Sequence, residues 1–199
     1  MAKAALPPPV KLICGLLSSR REWLQEAAGE LAKRFGPVDL ASEIMDFTFT
    51  QYYDGPMGGP LLRQFVAFER LAAPDSLAEA KHATNRIEED FAARAASGGA
   101  GTAAPSRPVN LDPGYVDSPK LVLASMKNFA HRVYLGRGVY AEVTLLRRRG
   151  QWCPLEWTFP DYASGRYWPY LERVRTRLRE QLACGPAAEA APGAAEECP

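Results

Sequence analysis

The sequence predicts an α+β domain with a mainly antiparallel sheet, in which a ferredoxin-like β-α-β-β-α-β start is followed by a β-meander and a C-terminal helix. Strand-like and helix-like segments alternate in that order before residue 96. Between 131 and 159 apolar and polar residues alternate, which is typical of a meander with one buried face. From 167 to 182 apolar residues recur at helical spacing, with arginines between them. We expect the helices to lie mainly on one face of the sheet.

The first strand and helix are marked by an apolar run and by signals at both helix ends. Residues 10–17, VKLICGLL, form a short apolar run that is typical of a buried strand. Ser19 begins the pattern S-R-R-E, which predicts a capping box with Glu22 at the start of a helix. Gly36-Pro37 is expected to end that helix.

The next segments complete the predicted order. Residues 38–49 and 63–71 are expected to be extended. A second helix is predicted to begin at Asp75 or Ser76, because apolar residues then recur on one helical face. VNLDPGY at 109–115 supplies the last strand of the ferredoxin-like part, and its Asp-Pro-Gly is common turn chemistry.

One domain is expected over residues 9–183. The N-terminal residues 1–8, an insertion at 96–106 and a tail at 184–199 are small, polar or proline-rich. Such segments cannot bury enough apolar surface to offset the entropy of ordering them. We therefore expect the first and last to be disordered and the insertion to be flexible.

Composition and charge exclude several classes of protein. A net charge of +1 gives no argument for nucleic-acid binding. The longest apolar run falls far short of the roughly 20 residues that span a bilayer, and the first residues lack the core of a signal peptide. The four cysteines show neither zinc-site spacing nor a disulfide framework. We expect a cytoplasmic protein that binds neither membrane nor nucleic acid; its oligomeric state is left open.

The segment HRVYLGRGVYAE at 131–142 predicts a β-hairpin around a Gly-Arg-Gly loop. In this register Tyr134 faces Tyr140 and Arg132 faces Glu142 on one side, while apolar residues face one another on the other side. A shift of one residue would destroy the match. One face of this hairpin is therefore a candidate site.

A second turn extends that face to a pair of carboxylates. A three-residue loop at 148–150 would place Glu156 directly opposite Glu142 on the neighbouring strand. Two such carboxylates repel, so Arg132, a divalent cation such as Mg, a shared proton or intervening water must offset the repulsion. Glu142 and Glu156 are therefore candidate catalytic and metal-binding residues. The alternative is a solvated sheet face on which Arg132 neutralises the pair.

Other polar residues could hold a small ligand. No acidic residue occurs from 118 to 141, and the basic side chains there are expected to converge on a phosphate. The asparagine and aspartate of NLDPGY could bind a metal or a ligand hydroxyl, and two tyrosines could stack on the ligand. The candidate ligand-binding residues are Asn110, Asp112, Lys120, Lys127, Arg132, Tyr134 and Tyr140.

Six blocks carry a resemblance to a known family. They are PVKLICGLLSS, DFTFTQYYDGPMG, VAFERL, VNLDPGYVDSPKLVLAS, HRVYLGRGVYAEVTL and PLEWTFPDY. Over about residues 9–182, outside the insertion and tail, the chain resembles the bacterial and archaeal family domain of unknown function 4416. The resemblance implies no particular activity and assigns no catalytic residues.

Two hypotheses on function follow from the sequence. The first is an enzyme or binding domain for a small phosphorylated or nucleotide-like molecule, with a divalent metal as a possible cofactor. The second is a non-catalytic protein-interaction module, whose exposed Tyr, Trp and Arg side chains form an interface. The chain contains no P-loop motif and no zinc-protease or serine-hydrolase motif that would name a reaction.

Overall fold

The structure is a computed structural model that describes residues 3–50, 52–97 and 105–184. Most of the predicted insertion and tail therefore lie outside the described residues. Residues 3–9 are exposed and belong to no helix or strand. No helix in the described ranges is both long and apolar enough to cross a lipid bilayer.

The elements follow the predicted order closely. The strands are β1 (Val10–Ser18), β2 (Val38–Ala41), β3 (Met45–Phe47), β4 (Leu61–Ala72), β5 (Val109–Val116), β6 (Lys120–Ser125), β7 (Val133–Gly136), β8 (Val139–Arg148) and β9 (Gln151–Pro154). The helices are α1 (Arg21–Phe35), α2 (Asp54–Met57), α3 (Leu77–Ser97), α4 (Pro160–Ala163) and α5 (Trp168–Ala183). The first two residues of the predicted insertion thus belong to α3.

In the described ranges, nine strands form one antiparallel sheet with the main order β2-β4-β1-β5-β6-β8-β7. β3 pairs with β4, and β9 pairs with β8. The first four strands of the main order have the arrangement of a ferredoxin-like sheet, with β1 and α1, and then β4 and α3, as its two strand–helix units. The predicted α+β class and its antiparallel sheet are confirmed.

Helices were expected mainly on one face of the sheet; α1 and α3 lie together on one face, and α5 covers the other. On one face, Leu12 of β1 packs in a cluster with Leu31 of α1 and Phe91 of α3. On the other face, Ile13 packs in a cluster with Leu171 of α5. Because both faces are covered, every residue of β1 is buried.

The predicted capping box at the start of α1 does not form. Arg20 occupies the cap position, and no side chain bonds the first turn there. The hydroxyl of Ser19 instead donates to the carbonyl oxygen of Met57 across 2.9 Å. The predicted end is confirmed, because Gly36 takes the left-handed φ of 99° and donates its N–H to Ala32.

The two edges of the sheet differ in how they meet solvent. At β2, the carbonyl oxygens of Leu40 and Ala41 accept hydrogen bonds from Tyr170 and Arg173 of α5, at 3.5 Å and 3.1 Å. Side chains of a helix therefore cover that edge. β7 forms the other edge, and within the described ranges it pairs only with β8.

Candidate functional site

The predicted pairing of Glu142 with Glu156 is wrong, because the turn between β8 and β9 is shorter than expected. Arg148 pairs with Gln151, so a two-residue turn replaces the three-residue loop. Both turn residues have positive φ, 50° at Arg149 and 83° at Gly150, as a tight hairpin turn of this length requires. β9 ends before Glu156, which lies in an exposed turn.

Glu142 is instead a buried carboxylate with several hydrogen-bonding partners. Its side chain is 2 % exposed, and Arg132 Nε donates to Oε2 across 2.7 Å. His131 Nε2 lies 3.1 Å from the same oxygen, and the hydroxyl of Thr144 donates to Oε1 across 3.3 Å. In the part of the chain that the structure describes, no group of three His, Cys, Asp or Glu residues could hold a metal ion. Neither glutamate is therefore placed in a metal site.

The predicted β7–β8 hairpin is confirmed in its main register. Val133 pairs with Ala141, and Tyr134 pairs with Tyr140, whose ring centroid lies 5.2 Å away. The strand then bulges, so that Gly136 and not the preceding leucine pairs with the first residue of β8. The two candidate tyrosines are therefore neighbours, as expected.

The three candidate basic side chains do not converge. Lys120 begins β6 and lies 2.8 Å from Asp117, whereas Lys127 follows the other end of the same strand. Arg132 binds Glu142 and also donates to the carbonyl oxygen of Lys127 and to the hydroxyl of Ser125, each across 2.8 Å. The phosphate site expected from these residues is not assembled.

Asn110 and Asp112 lie inside β5, so the turn expected at Asp-Pro-Gly is wrong. β5 pairs with β1 along its whole length but with β6 only from Gly114 onwards. A Cβ on Gly114 would lie 2.5 Å from the carbonyl oxygen of Val122, so only glycine permits this approach of the two strands. Before Gly114 the strands separate, and the missing N–H of Pro113 costs no ladder hydrogen bond there.

The open edge of β5 is bound by side chains of α3. The backbone N–H of Leu111 donates to Glu88 Oε1 across 2.7 Å, and Lys81 donates to the carbonyl oxygen of Leu111 across 2.9 Å. These two contacts satisfy backbone groups that β6 would otherwise pair. The separation of β5 and β6 therefore leaves the side chains of Asn110 and Asp112 beside a gap in the strand ladder.

Three ionic side chains meet on the α5 face of the sheet. Arg63 Nη1 lies 3.2 Å from Asp112 Oδ2, and Nη2 lies 3.6 Å from Asp161 Oδ2. The guanidinium is buried and also lies 5.0 Å from the ring centroid of Phe47. One buried cation therefore holds two carboxylates from different parts of the chain.

A further line of contacts leads from Asp112 towards solvent. Asn110 Nδ2 donates to Asp112 Oδ2 across 2.7 Å, and Arg107 donates to Asn110 Oδ1. Arg107 also lies 2.8 Å from Glu88. Arg63, Arg107, Asn110, Asp112 and Asp161 are called the Asp112 cluster below.

The environments of the two aspartates move their pKa values in opposite directions. Burial opposes ionisation of Asp112, but Arg63 and Lys81 outweigh it, so its pKa is lowered. Burial raises the pKa of Asp161, and Arg63 offsets only part of that effect. The Asp112 side chain is 30 % exposed and that of Asp161 only 7 %. Asp112 is therefore the ionised carboxylate that a ligand can reach.

Two tyrosines and a lysine extend this site along the surface. The Arg107 guanidinium lies 5.8 Å from the ring centroid of Tyr53, and Tyr52 meets Tyr53 edge-on with centroids 5.0 Å apart. Lys127 Nζ lies 5.2 Å from the Tyr52 ring and 3.5 Å from its hydroxyl. Tyr52, Tyr53 and Lys127 are called the tyrosine bridge; it joins the Asp112 cluster to the end of β6.

The glycine-rich segment after this bridge is anchored. Met57 is fully buried, and its carbonyl oxygen accepts the hydrogen bond from Ser19 described above. The carbonyl oxygen of Pro56 accepts the N–H of Arg107 across 2.9 Å. The tyrosine bridge is therefore held beside Arg107 by backbone contacts.

Sequence reasoning identified Asn110, Asp112 and Lys127 but missed Arg63, Arg107, Asp161 and the two tyrosines of the bridge. Of these, Arg63 had a signal in the sequence. Arg63 is in phase with Phe65 and Ala67 along β4, so the alternation places its charge on a core face. A charge at such a position needs a buried partner.

Comparisons with known proteins support only a family assignment. No curated protein and no solved structure matches the chain. A model of the family described as Domain of unknown function (DUF4416) matches residues 8–178, which include the whole Asp112 cluster and the tyrosine bridge. The chain therefore belongs to the DUF4416 family.

Proposed function

We propose that the protein binds a small phosphorylated or nucleotide-like molecule at the Asp112 cluster and the tyrosine bridge. The observation that carries this proposal is the state of Asp112: an ionised, partly exposed carboxylate fixed by a buried guanidinium. Arg63 and Asn110 both bind Oδ2, and no described residue donates to Oδ1. Oδ1 is thus available to accept a hydrogen bond from a ligand hydroxyl.

The cations near Asp112 suit the anionic part of such a ligand. Arg107 is 37 % exposed, and its guanidinium can turn a second face to a phosphate while it binds Glu88. Lys127 lies at the far end of the tyrosine bridge and forms no ion pair with any described residue. Phosphate oxygens at either end would therefore meet a positive charge.

The rings of Tyr52 and Tyr53 lie between these two cations. Tyr52 is exposed, so the side of its ring that Lys127 does not cover can stack on a flat ring, whereas Tyr53 is half-buried. Burial raises the pKa of the Tyr53 phenol, and Asp112 adds to that effect. The Tyr53 hydroxyl therefore stays protonated and can donate to the ligand.

A divalent cation such as Mg²⁺ would enter with the ligand. Mg²⁺ is commonly held by one or two carboxylates together with substrate phosphates. Asp112 Oδ1 can supply one such carboxylate oxygen. We infer a cytoplasmic location, because the three cysteines of the described ranges, Cys14, Cys153 and Cys184, form no disulfide bond with one another, as a reducing compartment favours.

A panel of nucleotides, sugar phosphates and inorganic phosphate, each with and without Mg²⁺, tests the proposal by thermal shift and then by titration calorimetry. Binding to the native state raises Tm by mass action. Asp112→Asn should lower the affinity for the ligand identified in the panel by about tenfold to a hundredfold, because it removes a charged hydrogen-bond acceptor. Lys127→Gln should weaken it by no more than about fivefold.

Matched controls lie at the other end of the same sheet. Asp117→Asn and Lys120→Gln alter a half-buried ion pair with the same chemistry, and neither residue is bonded to the Asp112 cluster. Both variants should bind like the wild type. If no compound in the panel raises Tm, or if the controls lose as much affinity as Asp112→Asn, the proposal is wrong.

A further inference from the structure

Three consecutive residues of the edge strand β7 are apolar or aromatic and all exposed. Val133, Tyr134 and Leu135 are 69 %, 59 % and 41 % exposed, although strand residues normally alternate between buried and exposed. Phe129 and Trp157 are also exposed, and each stacks on His131, with centroids 5.9 Å and 5.3 Å from it. The residues Phe129, Val133, Tyr134, Leu135 and Trp157 are called the β7 patch.

The backbone of β7 is available as well as its side chains. β7 is the last strand of the main sheet order, and no other described strand pairs with its outer side. An edge of this kind is a template for another strand unless it is blocked. Side chains of α5 bind the carbonyls of β2 at the opposite edge, whereas in the described ranges a helix contacts this hairpin only at its turn, where His82 Nε2 of α3 lies 3.0 Å from the carbonyl oxygen of Arg137.

The charge around the β7 patch selects the partner. No acidic residue occurs from 118 to 141, and Arg132 is already neutralised by Glu142. Arg137 at the hairpin tip is exposed and forms no ion pair with a described residue. At the hairpin, the exposed apolar side chains of β7 beside the unpaired Arg137 complement a segment that is both apolar and acidic.

The same charges disfavour a second copy of this chain. A second β7 strand would come from a segment, residues 118–141, that contains no acidic residue, so neither Arg137 would meet an opposite charge in that pairing. We infer that β7 binds an extended, acidic segment of another protein, which adds to the sheet as a further strand and covers the β7 patch.

Short peptides in which valine alternates with glutamate, and with lysine in a matched control peptide, test this inference by fluorescence anisotropy. The glutamate peptide should bind more tightly than the lysine peptide, and its affinity should fall as salt is added. The double substitution Val133→Ser with Leu135→Ser should weaken it by at least about tenfold, because apolar contact area is lost. Leu182→Ser on α5, a residue of similar exposure to Leu135, should have no effect.

A second pair of variants tests the charge separately. Arg137 and Arg149 both occupy hairpin turns with positive φ, 53° and 50°. Arg137→Gln should lower the affinity for the glutamate peptide by about threefold to fivefold, and Arg149→Gln should leave it unchanged. Equal binding of both peptides, or equal loss in both arginine variants, would overturn the inference. A dimer in light scattering that Val133→Ser with Leu135→Ser dissociates would also overturn it, since the occupant would then be a second copy.

Discussion

Arg63 reaches Asp112 by lying against Gly15, which occupies the strand between them. A Cβ at Gly15 would come 3.0 Å from Arg63 Nη1 and 3.0 Å from Cε1 of Phe65. Gly15 pairs with Asp112 on one side and with Phe65 on the other. Because Gly15 has no side chain, the Arg63 guanidinium can pass over β1 on one face of the sheet and reach Asp112.

Gly15→Ala should lower the free energy of unfolding by about 1–3 kcal/mol, as expected when a packed core is overfilled. Arg63 and the buried Phe65 leave little space for adjustment, because two carboxylates hold the guanidinium. Gly29→Ala is the control: nothing lies within 4 Å of its Cβ on α1, and it should stabilise the protein by about 0.5–1 kcal/mol. Denaturant unfolding of both variants measures the difference, and equal effects would contradict the packing described.

Tyr162→Phe should stabilise the protein by about 1 kcal/mol, because its buried hydroxyl has no hydrogen-bond partner among the described residues. Tyr167→Phe should destabilise it, because the Tyr167 hydroxyl donates to Asp161 Oδ2 across 3.3 Å. Each variant differs from the wild type by the loss of one hydroxyl oxygen. Thermal or denaturant unfolding should give shifts of opposite sign, and a loss of stability in Tyr162→Phe would show that its hydroxyl is bound.

Alkaline pH should destabilise the wild type more than Tyr162→Phe. Burial raises the pKa of Tyr162 well above its ordinary value near 10. A raised pKa in the folded state contributes stability below the unfolded pKa and loses it as pH rises through the folded pKa. The free energy of unfolding should therefore fall above about pH 10, with a shallower slope in the variant. Parallel curves for the two proteins would contradict this.

Arg132→Met should cost about 3–5 kcal/mol, because it leaves the Glu142 carboxylate buried without its closest cation. Lys33→Met removes one member of an exposed ion pair with Glu30 and should leave the free energy of unfolding nearly unchanged, because solvent screens the pair. Adding Glu142→Gln to Arg132→Met should recover part of the loss, since the unpaired charge is then gone. A double-mutant cycle with no coupling would mean that the pair does not act as a unit.

Glu156→Gln should leave stability within about 0.5 kcal/mol of the wild type. Had Glu156 faced Glu142, this substitution would have removed a repulsion between like charges and stabilised the sheet. In the structure the side chain lies in an exposed turn. Equilibrium unfolding distinguishes the two arrangements, and a clear gain in stability would support the pairing expected from sequence.

The alternation of side chains predicted the sheet well but did not determine how long each turn is. In the β7–β8 hairpin, the tyrosine pair matched in only one register, so its pairing was predictable. In the β8–β9 hairpin, arginine occupies a left-handed position that glycine normally takes, and nothing in the pattern indicates it. One residue of difference there separated Glu142 from Glu156.

Long-range contacts account for the part of the site that sequence reasoning missed. Pro113-Gly114 is a common turn pair, yet it lies in a strand because β6 approaches the backbone of Gly114. Arg63 and Asp161 meet only after α4 packs on the sheet, almost a hundred residues further along the chain. Local patterns report which face a side chain occupies, but not which distant partner will stand opposite it.

The contrast between the two sheet edges also sets a stoichiometry. At the β2 end of the main strand order, side chains of α5 bind the carbonyl oxygens of Leu40 and Ala41, whereas β7 at the other end has no such cover in the described ranges. Within that order one end is therefore open, and the complexes inferred for β7 should close at one partner per chain instead of propagating into a fibre.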